Sequence, residues 1–189
     1  MPDLMRPSLV EVEGAAATSP FDGHATVIAA FESYHAELYN FLRRSTRDED
    51  AAEDLLQESY LRLTREVGSG RTPENVRAWL YRVASNLAIS RGRRRTTAFA
   101  WMSRYGRNAE DPIESPESVV LGRERTSALD AALAVLPADA RTALLLSAEG
   151  FSGAEIAEAI GRSHGATRTL LTRARVRMRS ELEQRGDAR

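Results

Sequence analysis

The stretch FSGAEIAEAIGRSHGATRTLLTRARVRMR, residues 151–179, constrains the fold more than any other part of the chain. Ser152 and Glu155 stand at S-x-x-E spacing. In that capping box the serine oxygen accepts the backbone N–H three residues on, and the glutamate reaches back to the serine N–H. Ile156, Ala157 and Ile160 then fall on one helical face. Gly161 supplies a tight turn and Ser163 caps the next helix, which carries Leu170, Leu171, Ala174, Met178 and Leu182 as its apolar stripe. A short capped helix, a glycine turn and a long basic helix make the helix-turn-helix pattern. Its second helix enters a major groove with its N-terminal residues toward the bases.

In that geometry Ser163, His164, Gly165, Arg168, Thr169 and Thr172 point outward in the first turns. Arg168 has the fork that reads guanine, and the threonines suit a thymine methyl. Arg173, Arg175 and Arg177 are better placed for phosphates, which position a domain without reading sequence. An amphipathic hairpin with a solvated basic side is the plainer alternative.

Charge is sorted into blocks along the chain. Its 26 basic and 27 acidic residues leave a net charge of −1, so the question concerns distribution and not total. Between Asn75 and Ala109 stand Arg77, Arg82, Arg91, Arg93, Arg94, Arg95, Arg104 and Arg107, with no acid. Between Asp48 and Glu58 stand six acids, the others being Glu49, Asp50, Glu53 and Asp54, with no base. Interleaved opposite charges would help each helix slightly. Blocks of one sign point instead to separate surfaces for separate partners.

The hydrophobic periodicity predicts helices throughout and no strand. Residues 1–23 read as a flexible tail. Val27, Phe31, Tyr34, Leu38 and Phe41 make one helical stripe, and Ala52, Leu55, Leu56, Tyr60 and Leu63 make the next, with acids crowding its positive end. GSGRTP is a loop, and Thr72-Pro73 is its expected cap into a third helix. Val76, Leu80, Val83 and Leu87 are that helix's expected buried stripe, with Trp79 beside them either as core packing or as an aromatic that stacks on an unpaired base. Arg82, Asn86, Ile89 and Arg93 lie opposite. Residues 97–118, with two prolines and several acids, read as a linker. Helical character resumes with Val119, Val120, Leu129, Leu133 and Leu136, and Pro137 starts a further helix that stops at Gly150. The expected fold is all-α: two small helical bundles joined by a flexible acidic linker, the C-terminal one holding the helix-turn-helix.

Composition excludes much chemistry. The chain has no cysteine and no lysine, so disulfides, thiolate metal sites, a P-loop and Schiff-base chemistry are out of reach. His24, His35 and His164 have no metal-ligand spacing. No apolar run approaches the roughly 18 residues of a membrane span, and the N-terminus does not read as a signal peptide. We therefore expect a cytoplasmic protein, not an enzyme, with no cofactor, no metal and no membrane insertion.

The segments DAAEDLLQESYLRL and RAWLYRVASNLAISRGRRR, followed by LPADARTALLLSAEGFSGAEIAEAIGRSHGATRTLLTRARVRMR, resemble bacterial RNA polymerase sigma factors of the extracytoplasmic-function group. The resemblance implies a tail at 1–23, a second sigma domain at 24–96, a linker at 97–118 and a fourth sigma domain at 119–185. It implies that Asp50, Glu53, Asp54, Gln57 and Glu58 dock on core RNA polymerase. Arg71, Arg77, Arg82, Asn86, Ser90, Arg91, Arg93 and Arg94 would then contact and melt the minus-ten element of promoter DNA, in duplex and melted form. Ser163, His164, Gly165, Arg168, Thr169, Thr172, Arg173 and Arg175 would read the minus-thirty-five element. An anti-sigma factor is the partner that commonly holds such proteins inactive. The chain departs from the family pattern at Arg162, where an aliphatic residue is frequent, and at Thr167, where valine is. A freestanding helix-turn-helix regulator is the competing reading. It differs in needing no acidic docking face, and it would footprint duplex DNA without polymerase.

Overall fold

The computed structural model describes residues 20–105 and 123–186, so most of the expected tail and linker, with Val119 and Val120, lies outside the described residues. Among the described residues seven helices follow one another: α1 Pro20–Thr46, α2 Glu49–Gly68, α3 Val76–Tyr105, α4 Arg123–Ala134, α5 Ala138–Ala148, α6 Gly153–Ile160 and α7 His164–Gly186. Among the described residues there is no strand.

The joint between α1 and α2 is built from three adjacent residues, Thr46, Arg47 and Asp48. Arg47 takes a left-handed backbone (φ 61°), and its N–H reaches back to the Arg43 carbonyl at 2.8 Å. Thr46 Oγ1 lies 2.8 Å from the Leu42 carbonyl and 2.9 Å from that of Asp48. Asp48 then caps α2, its carboxylate accepting the Ala51 N–H at 2.9 Å. The carboxylate thus sits at the positive end of the helix, where it satisfies an otherwise orphaned donor.

α1, α2 and α3 form the first bundle, around Leu38, Phe41, Leu42, Ala52, Leu63, Leu80 and Ala84. α4 to α7 form the second, around Leu133, Leu136, Leu146, Ile156, Ile160 and Ala174. The two are not separate bodies. α1 and α3 pack on α5, α3 also packs on α6, and the buried side chains of both bundles form one contiguous core.

Several sequence expectations need correction. Phe31 is 48% exposed, with its ring against His35 and Tyr60. α3 begins at Val76, not Pro73, and the Asn75 side chain accepts the Ala78 N–H at 2.9 Å in place of the expected Thr72 cap. It also runs on to Tyr105, past the expected boundary at 96. Its buried face is Leu80, Tyr81, Ala84, Ser85, Ala88 and Ile89, while Val83 and Leu87 are only half-buried. Ile89, expected on the outer face, is therefore inside. The reason is tertiary: α5 and α6 cover a flank of α3 that a lone three-helix bundle would leave open.

Candidate nucleic-acid interface

The C-terminal element has the geometry that its sequence dictates. Ser152 Oγ accepts the Glu155 N–H at 3.3 Å while the Glu155 carboxylate accepts the Ser152 N–H at 2.8 Å, a complete capping box. The hydrogen bond with the Ser152 side chain, with that from its backbone, holds the Glu155 carboxyl below the ordinary carboxylate range. Gly161 is left-handed (φ 65°), the conformation that makes glycine the residue of choice at this turn. Ser163 Oγ accepts the Ala166 N–H at 3.3 Å and opens α7.

Ser163, His164, Gly165, Arg168, Thr169, Thr172, Arg173 and Arg175 are all exposed. Thr169 donates its hydroxyl to the Gly165 carbonyl at 3.1 Å and Thr172 to that of Arg168 at 3.0 Å. With those donors used inside the helix, each threonine offers a methyl group and an acceptor oxygen outward. The His164 ring lies against Gly153, where a β-carbon would come within 3.0 Å of Nε2. Arg175 donates to Ser147 Oγ at 3.0 Å and is steadied by α5. The two departures from the family pattern also find places. Thr167 is buried, its hydroxyl donating to the Ser163 carbonyl at 3.0 Å. Arg162 turns to an ion pair with Asp139.

The basic helix α3 differs from its sequence reading in one respect. No acid stands between Asn75 and Ala109, yet three of the helix's arginines meet acids brought in by the fold. Arg77 lies over the rings of Tyr81 and Phe151, 5.0 and 4.9 Å from their centroids, and its guanidinium donates to the Glu149 carbonyl at 3.2 Å. The Glu149 carboxylate is 3.5 Å away and also receives the Tyr81 hydroxyl at 3.4 Å. Arg82 pairs with Glu158 of α6 at 2.5 Å, and Arg91 with Asp48 at 3.4 Å. In the loop before α3, Arg71 pairs with Glu66 at 2.9 Å. Asn86, Ser90, Arg93 and Arg94 remain exposed. Trp79 is partly buried against the core.

On α2, Asp50, Glu53, Asp54 and Gln57 are exposed, while Glu58 is paired with Arg62 at 2.8 Å. The hydrogen bond from Arg62 holds the Glu58 carboxyl below its usual range. The acid face and the outer face of α3 belong to one bundle, and the exposed first turns of α7 belong to the other.

Sequence reasoning missed Glu149, Glu158, Phe151 and the Ser45–Thr142 pair, which seat the second bundle on the first. Ser45 and Thr142 share a buried hydrogen bond of 2.7 Å across the seam. No local signal marked them, because each looks like an ordinary polar or loop residue until its partner arrives from another helix. Gly92 carried a signal that was not used. A β-carbon there would lie 2.6 Å from that of Ala138, so glycine in the middle of α3 marks a close helix approach.

Comparison with known proteins agrees with this arrangement. Residues 30–98 match the sigma-70 region 2 family and residues 126–178 match sigma-70, region 4. The chain is 32% identical over 184 residues to the ECF RNA polymerase sigma factor SigL of Mycobacterium tuberculosis, covering 96% of this chain and 100% of SigL. It is 34% identical over 146 residues to the probable RNA polymerase sigma factor RfaY of Xanthomonas campestris, a match of 75% of this chain that spans only 36% of RfaY. Among solved structures, the sigma factor RpoE in complex with the anti-sigma factor NepR from Bartonella quintana superposes with a TM-score of 0.60 at 25% identity. That match covers 86% of this chain and 97% of RpoE. Two family matches in the order of a sigma factor, on two bundles that carry a basic helix and a capped helix-turn-helix, show that the chain belongs to the extracytoplasmic-function group of sigma-70 RNA polymerase sigma factors.

Proposed function

We propose a division of labour within this sigma factor, whose task is promoter-directed initiation of transcription by RNA polymerase. α2 meets the polymerase through Asp50, Glu53, Asp54, Gln57 and Glu58. α3 and the loop before it engage the minus-ten element through Arg71, Arg77, Arg82, Asn86, Ser90, Arg91, Arg93 and Arg94. α7 reads the minus-thirty-five element through Ser163, His164, Gly165, Arg168, Thr169 and Thr172, with Arg173 and Arg175 on flanking phosphates.

The observation that carries this reading is the first two turns of α7. Five polar residues from Ser163 to Thr172, with Gly165 among them, are exposed on one capped helix while Thr167, Leu171 and Ala174 hold it to its bundle. A helix so presented can lie in a major groove with Arg168 on a guanine edge. The acids of α2 form a second exposed surface that a freestanding DNA-binding regulator has no need of.

An anti-sigma factor is a fitting regulator, since the RpoE structure holds one. The cytoplasm is the compartment where a polymerase subunit works, and none of the described helices is long and apolar enough to cross a membrane.

Footprinting the pure chain on promoter DNA, with and without core polymerase, tests the proposal. Protection that requires core polymerase supports it. Full protection of duplex DNA by the chain alone would establish the freestanding regulator instead.

A further inference from the structure

Arg141 of α5 is 8% exposed, and its Nε has no hydrogen-bond partner. Its one hydrogen bond among the described residues is a long one of 3.4 Å from Nη1 to the Leu133 carbonyl. No carboxylate among the described residues pairs with it. An arginine cannot escape this cost by losing its proton near neutral pH, and an unpaired buried charge is strongly unfavourable. The neighbouring charges make matters worse. Burial, then Arg47 and Arg95, press the Arg141 guanidinium down to about 10, so the groups that act on it are cations.

The packing explains why these three converge. Thr142, next to Arg141, is bonded to Ser45 near the end of α1, two residues before Arg47. Ala138 of α5 sits against Gly92 of α3, and one helical turn further along each helix come Arg141 and Arg95. Arg47 and Arg95 are exposed, and neither has an acid partner among the described residues. Arg44 Nε, on the same end of α1, is a further buried donor without a partner. Guanidinium groups therefore gather from both bundles at one seam, where the described residues supply no counter-charge.

We infer that this seam is an oxyanion site, in which Arg141, Arg47 and Arg95 together hold a small phosphate-class anion. Planar guanidinium forks match the several acceptor oxygens of a phosphate in a way that a halide does not. Because Arg141 comes from the second bundle and the other two from the first, the complete site exists only while the bundles are packed. The anion therefore stabilises the packed arrangement by linkage. In that arrangement Arg77 and Arg82 stay engaged by Glu149 and Glu158.

The test uses the full chain and inorganic phosphate, with ionic strength held constant by sodium chloride. Isothermal titration calorimetry reads binding. A dye pair on Arg65→Cys and Glu183→Cys, in a chain with no native cysteine, reads the distance between the bundles. Phosphate is expected to bind saturably at one site, to draw the dyes together, and to bind about tenfold more weakly to Arg95→Ala, which loses charge-assisted hydrogen bonds. Arg141→Met is expected to abolish binding. If that variant does not fold, Arg47→Ala combined with Arg95→Ala decides in its place. Arg179→Ala, an exposed arginine of α7 away from the seam, is expected to bind as the parent does. Absence of saturable binding, or an equal loss in Arg179→Ala and Arg95→Ala, overturns the site. So does binding that leaves the inter-bundle distance unchanged.

Discussion

The Arg82 guanidinium reaches the Glu158 carboxylate at 2.5 Å, tying the basic helix of the first bundle to the short helix that precedes α7 in the second. Both side chains are well exposed, at 41% and 64%. Such pairs are worth only ~0–1 kcal/mol. The contact therefore orders the two bundles without committing Arg82, and under the proposed function a strand phosphate competes for it on similar terms.

Glu158→Gln is accordingly expected to raise the affinity of the free chain for a single-stranded oligonucleotide by about two- to fivefold at low salt. Fluorescence anisotropy checks this. An unchanged affinity would mean that Arg82 does not engage the strand.

Gly92→Ala tests the seam without altering charge. In an open helix the change would stabilise by roughly 0.5–1 kcal/mol, but here the new carbon would meet Ala138 at 2.6 Å. Helical circular dichroism should persist while the inter-bundle dye distance lengthens. A shortened or constant distance would show that α5 absorbs the carbon by local adjustment.

On α2, Asp54 and Glu58 stand one helical turn apart and take no part in the buried stripe. Replacing both with arginine is expected to abolish binding to core polymerase and leave the helical spectrum intact. Normal affinity in a pull-down with core enzyme would remove the docking assignment.

For the reading helix, Arg168→Ala should cost about 1–3 kcal/mol at particular upstream base pairs, because a bidentate contact is lost. Arg175→Ala should weaken all sequences alike and flatten the salt dependence. A transcription assay on a library of upstream elements separates the two outcomes. Identical sequence-independent losses would mean that α7 lies differently in the groove.

The capping box yields a stability prediction. Ser152→Ala should cost about 1 kcal/mol in denaturant unfolding. The Glu155 carboxyl is lowered in the folded chain, so its contribution is complete at neutral pH. That contribution fades only as pH falls through the depressed value. Glu155→Gln should therefore lose part of the acid sensitivity of unfolding, and an acid titration as steep as the parent's would show that the cap contributes none.

What the sequence alone determined is local. The capping box at Ser152 and Glu155, the left-handed turn at Gly161 and the exposed first turns of α7 follow from spacing, since each depends on residues within a few positions of one another. The acid face of α2 and the family itself were legible for the same reason. The tertiary structure decided whatever needed a partner from far along the chain. Asn75 replaced Thr72 as the cap, and Ile89 and Tyr81 turned inward because a second bundle covers α3. Arg77 and Arg82 found acids at Glu149 and Glu158, and Arg141 was buried beside other arginines. Helical periodicity reports one apolar face of a helix against one neighbour. It carries no information about a flank that becomes buried only when two bundles meet, and that flank is where Arg77 and Arg82 find their acid partners.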